Sequence, residues 1–296
     1  MPGCRRPRSC RSAAPRASRC TRKCSSGSAS VRASSGSRRW RPSAEPAVDL
    51  TGRAALVTGG SGDLGRAIAI ALAEAGADVA VTWVGFREGA IETCRQVEKR
   101  GRRTAMVQLD QRDAAAIAPV VDTAAAELGR LDVLVNNAGW NIGVPFRDLE
   151  GLTADLWDHI NEVNLRGPFL LARAAARHLR ARGAGRIVNV ASVAGLRPAG
   201  SSIAYAVSKA GLIHLTRCLA VALAPEVTAN CVAPGLMEGT RMAKRLPAEV
   251  VESTRRLAVL QRATAVDDVA AQVVAFCRAD SVTGQVLNID GGVHFH

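Results

Sequence analysis

Aromatic side chains are scarce in this chain of 296 residues, which has five Phe, four Trp and a single tyrosine, Tyr205. No run of 18 apolar residues is free of charges and turn signals, which excludes a membrane-spanning helix. Cys-x-x-Cys spacing is missing and the five histidines show no ligand spacing, so no metal site is expected. Four of the eight cysteines (Cys4, Cys10, Cys20, Cys24) precede residue 48. The other four (Cys94, Cys218, Cys231, Cys277) lie in apolar contexts, as small buried hydrophobes of a reducing compartment would, and the cytoplasm is the expected location. His294 and His296 read as a polar C-terminus.

Acids are nearly absent from residues 1–48. Twelve Arg and Lys stand there against Glu45 alone, a surplus of eleven that leaves only +2 of the +13 net charge for residues 49–296. The high charge is therefore no argument for nucleic-acid binding by the folded part. The segment is also rich in Ser, Pro and Cys and cannot bury enough surface to fold alone. It reads as a disordered basic extension, a transit-like peptide, or translated sequence upstream of the true start, the last being favoured. A nucleic-acid-binding arm is the weaker alternative.

From residue 49 onward, short β-branched runs at 54–58, 79–83, 104–109, 133–136, 186–191, 228–232 and 285–289 alternate with helical patterns near 64–75, 87–100, 113–128, 153–181, 204–223 and 265–278. That alternation predicts one α/β domain over 49–296, a seven-stranded, mostly parallel sheet with helices on both faces. Residues 205–224 are apolar nearly all round, which predicts burial against another subunit as dimer or tetramer.

Two constellations carry chemistry. Tyr205-Ala-Val-Ser-Lys209 puts a Lys one helical turn from the lone Tyr, on the same face. Lowering a phenol from about 10 by about three units needs about 4 kcal/mol, and one charge about 4 Å away supplies a similar amount at an effective dielectric near 20. The pair is thus expected to bring the phenol towards neutral pH. Second, the first strand runs into Thr58-Gly59-Gly60-Ser61-Gly62-Asp63-Leu64-Gly65 and a helix follows. Gly60-x-Gly62-x-x-Gly65 is the spacing of a dinucleotide turn, in which glycines admit a pyrophosphate to the helix N-terminus.

With Asn136-Asn137-Ala138-Gly139 closing the fourth strand, these residues resemble the short-chain dehydrogenase/reductase family, and most closely its 3-oxoacyl-carrier-protein reductases. The likeness covers roughly residues 49–292 and includes Asn288-Ile-Asp290-Gly291-Gly292 at the last strand. One departure stands out: Asp63 occupies the place of the family's middle glycine. The resemblance implies a Rossmann-like doubly wound fold and hydride transfer between a nicotinamide and a carbonyl or secondary alcohol. It implies Tyr205 as proton donor and acceptor, Ser192 as hydrogen-bond donor to the substrate oxygen, Lys209 as ligand of the nicotinamide ribose, and Asn164 as support of a proton relay. The dinucleotide would meet Thr58, Gly59, Gly60, Ser61, Asp63, Leu64 and Gly65 at the turn and Asn137, Ala138 and Gly139 at the ribose. Tyr205, Lys209, Pro234, Gly235 and Thr240 would lie about the nicotinamide. Asp110 is expected to contact adenine, or else to cap a helix or turn.

The second strand ends in Thr82-Trp83-Val84-Gly85-Phe86-Arg87 with no acid until Glu88, which favours NADP(H) over NAD(H), with Arg87 beside the 2′-phosphate. Residues 236–247 read as a lid, and Trp140, Ile142, Leu196 and Met237 as apolar pocket lining. Arg241, Lys244 and Arg245 would meet an acidic carrier protein or belong to a solvated lid helix. The substrate expected is a small carbonyl or alcohol, carried as an acyl thioester in the favoured reading. Sugar, steroid and other small alcohols, and a non-catalytic dinucleotide sensor, are the alternatives.

Overall fold

Continuous apolar runs of four to eight residues can hide both faces only inside a sheet covered on each side. The computed structural model describes residues 49–241, 243–245 and 248–295, and among them these runs form seven strands. They are β1 (Ala54–Val57), β2 (Asp78–Trp83), β3 (Thr104–Gln108), β4 (Val133–Asn136), β5 (Gly185–Val190), β6 (Val227–Pro234) and β7 (Val286–Ile289). All pairings are parallel, in the order β3-β2-β1-β4-β5-β6-β7. Strand order reverses between β1 and β4, so the loops leaving these two strands diverge and open a crevice at the sheet's C-terminal edge.

Among the described residues eight α-helices connect the strands: α1 (Asp63–Glu74), α2 (Arg87–Glu98), α3 (Ala114–Leu128), α4 (Ala154–Asn161), α5 (Gly167–Arg180), α6 (Ile203–Ala222), α7 (Ala248–Leu257) and α8 (Val266–Arg278). Successive strand residues point to opposite faces, and the core divides accordingly. Ala55, Val57, Val79, Val81, Val133 and Val135 pack with Ile68, Leu72, Val269 and Val273 of α1 and α8. Ala54, Leu56, Ala80, Leu134 and Ile187 pack with Ile117, Val121, Leu171 and Leu179 of α3 and α5. The doubly wound sheet read from the sequence is the observed one.

Three local readings are corrected. The helix predicted over 153–181 is broken by a π-helical turn, Glu162–Arg166, between α4 and α5. Pro168 has no N–H to give the carbonyl four residues earlier, that of Asn164. Just before it, the ladder widens and the Gly167 N–H goes to the Glu162 carbonyl. Helix α7 lies outside every predicted helix. Its sequence is polar, and Glu252 pairs with Arg255 and Arg256 along one face. Finally, β6 continues through Pro234, which sits in the strand rather than after it.

Cys231 and Cys277 are buried, and burial pushes their thiols up to about 11 and about 12. Cys94 is half-buried, whereas Cys218 is exposed on the outward face of α6, against expectation. His294 is no free terminus, because its Nδ1 lies 2.5 Å from Asp290 Oδ2. Among the described residues no helix is long and apolar enough to cross a membrane. The readings made for residues 1–48, for the Arg245 side chain, for His296, and for Met242, Leu246 and Pro247 of the lid fall outside what is described.

Candidate active site

The glycine turn leaves β1 and is fastened from three sides. Gly60 N–H donates to the Thr82 carbonyl at 2.9 Å, Gly59 N–H to Thr82 Oγ1 at 3.1 Å, and the buried Thr93 Oγ1 to the Gly60 carbonyl at 2.7 Å. Gly59 holds φ at +66°, a region that favours glycine. A Cβ on Gly65 would run into the Gly59 carbonyl and lie 2.7 Å from Asn137 Nδ2. Gly62 caps α1 and offers no side-chain acceptor to the helix's first N–H groups. A bare helix start behind a turn with no room for side chains fits the pyrophosphate of a dinucleotide.

Thr58 ties this turn to the loop after β4. Its hydroxyl accepts the N–H groups of Asn137 and Ala138, both at 3.0 Å, and Asn137 Nδ2 donates back to the Thr58 carbonyl at 2.8 Å. The next residue reaches the second constellation. A Cβ on Gly139 would lie 3.4 Å from Asn164 Oδ1 and 3.5 Å from Lys209 Nζ, so this loop borders both the turn and the lysine.

Helix α6 starts at Ser202, whose Oγ accepts the Tyr205 N–H at 3.2 Å. That cap sets Tyr205 in the first turn and Lys209 in the second. Lys209 Nζ donates to the Val190 carbonyl at the end of β5 at 2.9 Å and lies 5.8 Å from the centre of the Tyr205 ring. Ser192, just past β5, caps a short 3₁₀ turn (Val193–Gly195), its Oγ accepting the Ala194 N–H at 3.2 Å, and its side chain lies near enough to the Tyr205 phenol to lower it. Asn164 is fully buried in the π-helical turn; its Nδ2 donates to Ser208 Oγ at 3.1 Å and its amide clasps the Trp140 main chain. The four residues singled out from the sequence thus converge at the ends of β4 and β5.

The electrostatics reverse one expectation. The Tyr205 phenol is not depressed by its lysine. Burial pushes it above its ordinary value, and the Ser192 side chain offsets part of that rise. Burial likewise pushes the Lys209 ammonium down to about 8. Desolvation penalises the charged form of both groups and is the larger effect at each.

Other predicted contacts divide. Asp110 does not cap α3, because Asp113 does, accepting from Ala115 and Ala116 N–H groups. Asp110 instead closes a turn, as the other alternative had it: its Oδ1 accepts the Arg112 N–H at 3.0 Å and its carboxylate pairs with the Arg112 guanidinium at 2.6 Å, which holds its carboxyl below its ordinary value. Arg87 is exposed at the first position of α2. Gly235 N–H donates to the Ile289 carbonyl at 2.8 Å, joining the loop after β6 to β7. The Thr240 hydroxyl is spent inside that loop, donating to the Met237 carbonyl and accepting the Ala243 N–H. Met237 and Leu196 pack against core clusters, whereas Ile142 is exposed and Trp140 stacks on His159 with ring centres 3.9 Å apart.

Sequence reading missed Thr82, Thr93 and His159. The amides closing β4 tie neighbouring strands as their type suggests, but the partners were missed: Asn136 Nδ2 donates to Asn189 Oδ1 and Asn189 Nδ2 to Thr216 Oγ1, joining β4, β5 and α6. For Thr82 and Asn189 the available signal was a lone polar residue within an apolar run; Thr93 and His159 lie in polar stretches that carry no such signal.

A family model described as short chain dehydrogenase matches residues 53–250. The chain belongs to that family. The dehydrogenase is 41% identical over 248 residues, 81% of its own length and 95% of the relative's, to a Streptomyces violaceoruber protein assigned as ketoacyl reductase 2 of the granaticin polyketide synthase. It is 38% identical over 244 residues to cis-4-hydroxycyclohexanecarboxylate dehydrogenase of Sinomonas cyclohexanicum, covering 81% of this chain and 96% of that one. A solved short chain dehydrogenase from Burkholderia cenocepacia, in complex with NADP, superposes with a TM-score of 0.77 at 40% identity over 82% of this chain and 98% of that one. The protein is therefore an oxidoreductase of alcohol or carbonyl groups that uses NAD or NADP.

Proposed function

We propose that the dehydrogenase reduces a carbonyl with NADPH, and that its substrate is a 3-oxoacyl thioester. The observation that carries the reading is the gathering of the Ser192 and Tyr205 side chains with Lys209, next to a loop that also borders the glycine turn. A phenol kept protonated by burial is suited to giving its proton to a developing alkoxide, which favours the reductive direction. Ser192 holds the substrate oxygen by hydrogen bond and Tyr205 delivers the proton. Lys209 binds the nicotinamide-ribose hydroxyls through Nζ. The Asn164 carbonyl, denied its α-helical donor by Pro168, is available to order a water that replenishes the proton.

The bound nicotinamide supplies the hydride. The N–H groups of Ser61, Asp63, Leu64 and Gly65 hold the pyrophosphate and Asn137-Ala138-Gly139 the adenosine side. Pro234, Gly235 and Thr240 border the nicotinamide amide. Arg112 competes for Asp110, so the adenine contact requires that ion pair to open. NADP preference is supported by the absence of an acid at the end of β2, by the exposed Arg87, and by the NADP complex of the Burkholderia relative.

A homo-oligomer belongs to the same proposal. The exposed Trp157, Phe169, Val207 and Val221 on α4, α5 and α6 form apolar surface that a second copy would cover. Lys244 is exposed and open to an acidic carrier, whereas Arg241 is engaged within the fold.

A second reading has its own support. The flat Trp140–His159 stack would suit a small cyclic alcohol, and the Sinomonas relative is named for one. A substrate panel followed by NADPH absorbance, with an acetoacetyl thioester, cyclic hydroxy acids and sugars, separates the two. Turnover of cyclic alcohols with none of the thioester would overturn the first.

A further inference from the structure

Asp63 sits at the first position of α1, where the dinucleotide's pyrophosphate has to approach. A carboxylate there favours the helix dipole but repels that anion. The side chain is not left to itself. Asp63 Oδ2 accepts the main-chain N–H of Arg241 at 2.7 Å, and Arg241 Nε lies 3.9 Å from the same oxygen. The guanidinium also donates to the Ser61 carbonyl at 3.2 Å and covers the Phe86 ring, 4.4 Å from its centre. Arg241 therefore touches the glycine turn, the start of α1 and the loop after β2 together. It comes from the loop after β6, 178 residues along the chain from Asp63.

Asp63 and Arg241 are both partly exposed, and such a pair contributes little to fold stability. Its position gives it another use. Resting on the dinucleotide reading above, we infer that Arg241 is the charge partner that makes a carboxylate at Asp63 compatible with a bound pyrophosphate, and that the pair fastens the loop after β6 to the cofactor turn. A guanidinium 3.9 Å from the same oxygen, with the main-chain N–H upon it, offsets part of the repulsion that the glycine of other family members avoids. The same contact links two events: when the dinucleotide fills the turn, the carboxylate holds Arg241 more firmly, and the loop after β6 is drawn against it.

The test is a double-variant cycle read by calorimetric titration of the intact protein with NADP⁺ and with ADP-ribose, neither of which requires turnover. Arg241→Ala exposes the carboxylate and is expected to weaken both ligands about tenfold. Asp63→Gly and Asp63→Asn, which remove the charge, should bind at least as tightly as the parent. Asp63→Gly with Arg241→Ala should regain most of the loss. Thermal melts of every variant within a few degrees of the parent, as expected for exposed positions, keep the binding data interpretable; Arg241→Gln replaces any variant that melts early. Unchanged affinity in Arg241→Ala, or a double variant as weak as that single one, overturns the inference. Parent protein that binds neither ligand overturns the dinucleotide reading instead.

Discussion

The Asn164 side chain and the Trp140 main chain form a closed pair: Oδ1 accepts the Trp140 N–H at 2.8 Å and Nδ2 donates to the Trp140 carbonyl at 2.9 Å. The amide thus fixes the loop after β4, whose indole stacks on His159. Asn164→Ala removes the partner of both partly buried Trp140 main-chain groups and one of the two partners of Ser208, at about 1–3 kcal/mol for each buried group left unpaired. Urea unfolding is expected to register a loss on the order of 3 kcal/mol. Asn164→Asp, which keeps an acceptor but no donor, should fall between. An unfolding midpoint unmoved in Asn164→Ala would mean that the clasp is not holding the loop.

Tyr205→Phe removes the proton donor and leaves the ring in place. General acids contribute about 10²–10⁴ in rate, so turnover is expected to drop at least about a hundredfold. NADPH affinity, followed by nucleotide fluorescence, should stay within about threefold, because most contacts proposed for the dinucleotide lie elsewhere. Near-normal turnover would remove Tyr205 from the chemistry.

Lys209 gives a pH signature. The lysine of the unfolded chain keeps its proton up to its ordinary 10.5, whereas the folded one releases it near about 8. Between those values the unfolded state binds more protons, so stability rises with pH across the window. The parent should gain on the order of 3 kcal/mol over Lys209→Met between pH 8 and 10.5. Denaturant unfolding of both proteins across that range measures it; a constant difference would contradict the buried ammonium.

The cofactor preference turns on Arg87, exposed at the start of α2 where no acid precedes it. The parent is expected to use NADPH with higher kcat/KM than NADH. Arg87→Ala should shrink that ratio by roughly five- to tenfold, through NADPH alone. A parent that prefers NADH sinks the assignment, and an unchanged ratio in Arg87→Ala would move the 2′-phosphate contact to another residue.

Much of this was legible in order along the chain. The strand runs, the Gly59–Gly65 turn and the Tyr205–Lys209 pair depend on local spacing and hydrophobic period, which sequence carries directly, whereas Asn164 and Ser192 were reached through the family resemblance. Helix α7 was not, because a segment held by Glu252–Arg255 and Glu252–Arg256 pairs shows little apolar stripe. The widening at Glu162–Arg166 was half-visible in Gly167-Pro168, yet the helical pattern ran through it unbroken.

The sequence by itself determined a mostly parallel sheet covered on both faces, a glycine turn of dinucleotide spacing and a Tyr–Lys pair one helical turn apart, since these follow from period and spacing, and the doubly wound order followed from the family resemblance. Tertiary structure alone decided the state of that pair and the company of Asp63. Burial, which depends on every element packed around α6, raises the phenol and lowers the ammonium instead of letting one tune the other. Arg241 meets Asp63 only because parallel strands bring the loop after β6 to the same sheet edge as the turn after β1. Charge and distance across 178 residues are properties of the folded surface, and no local pattern encodes them.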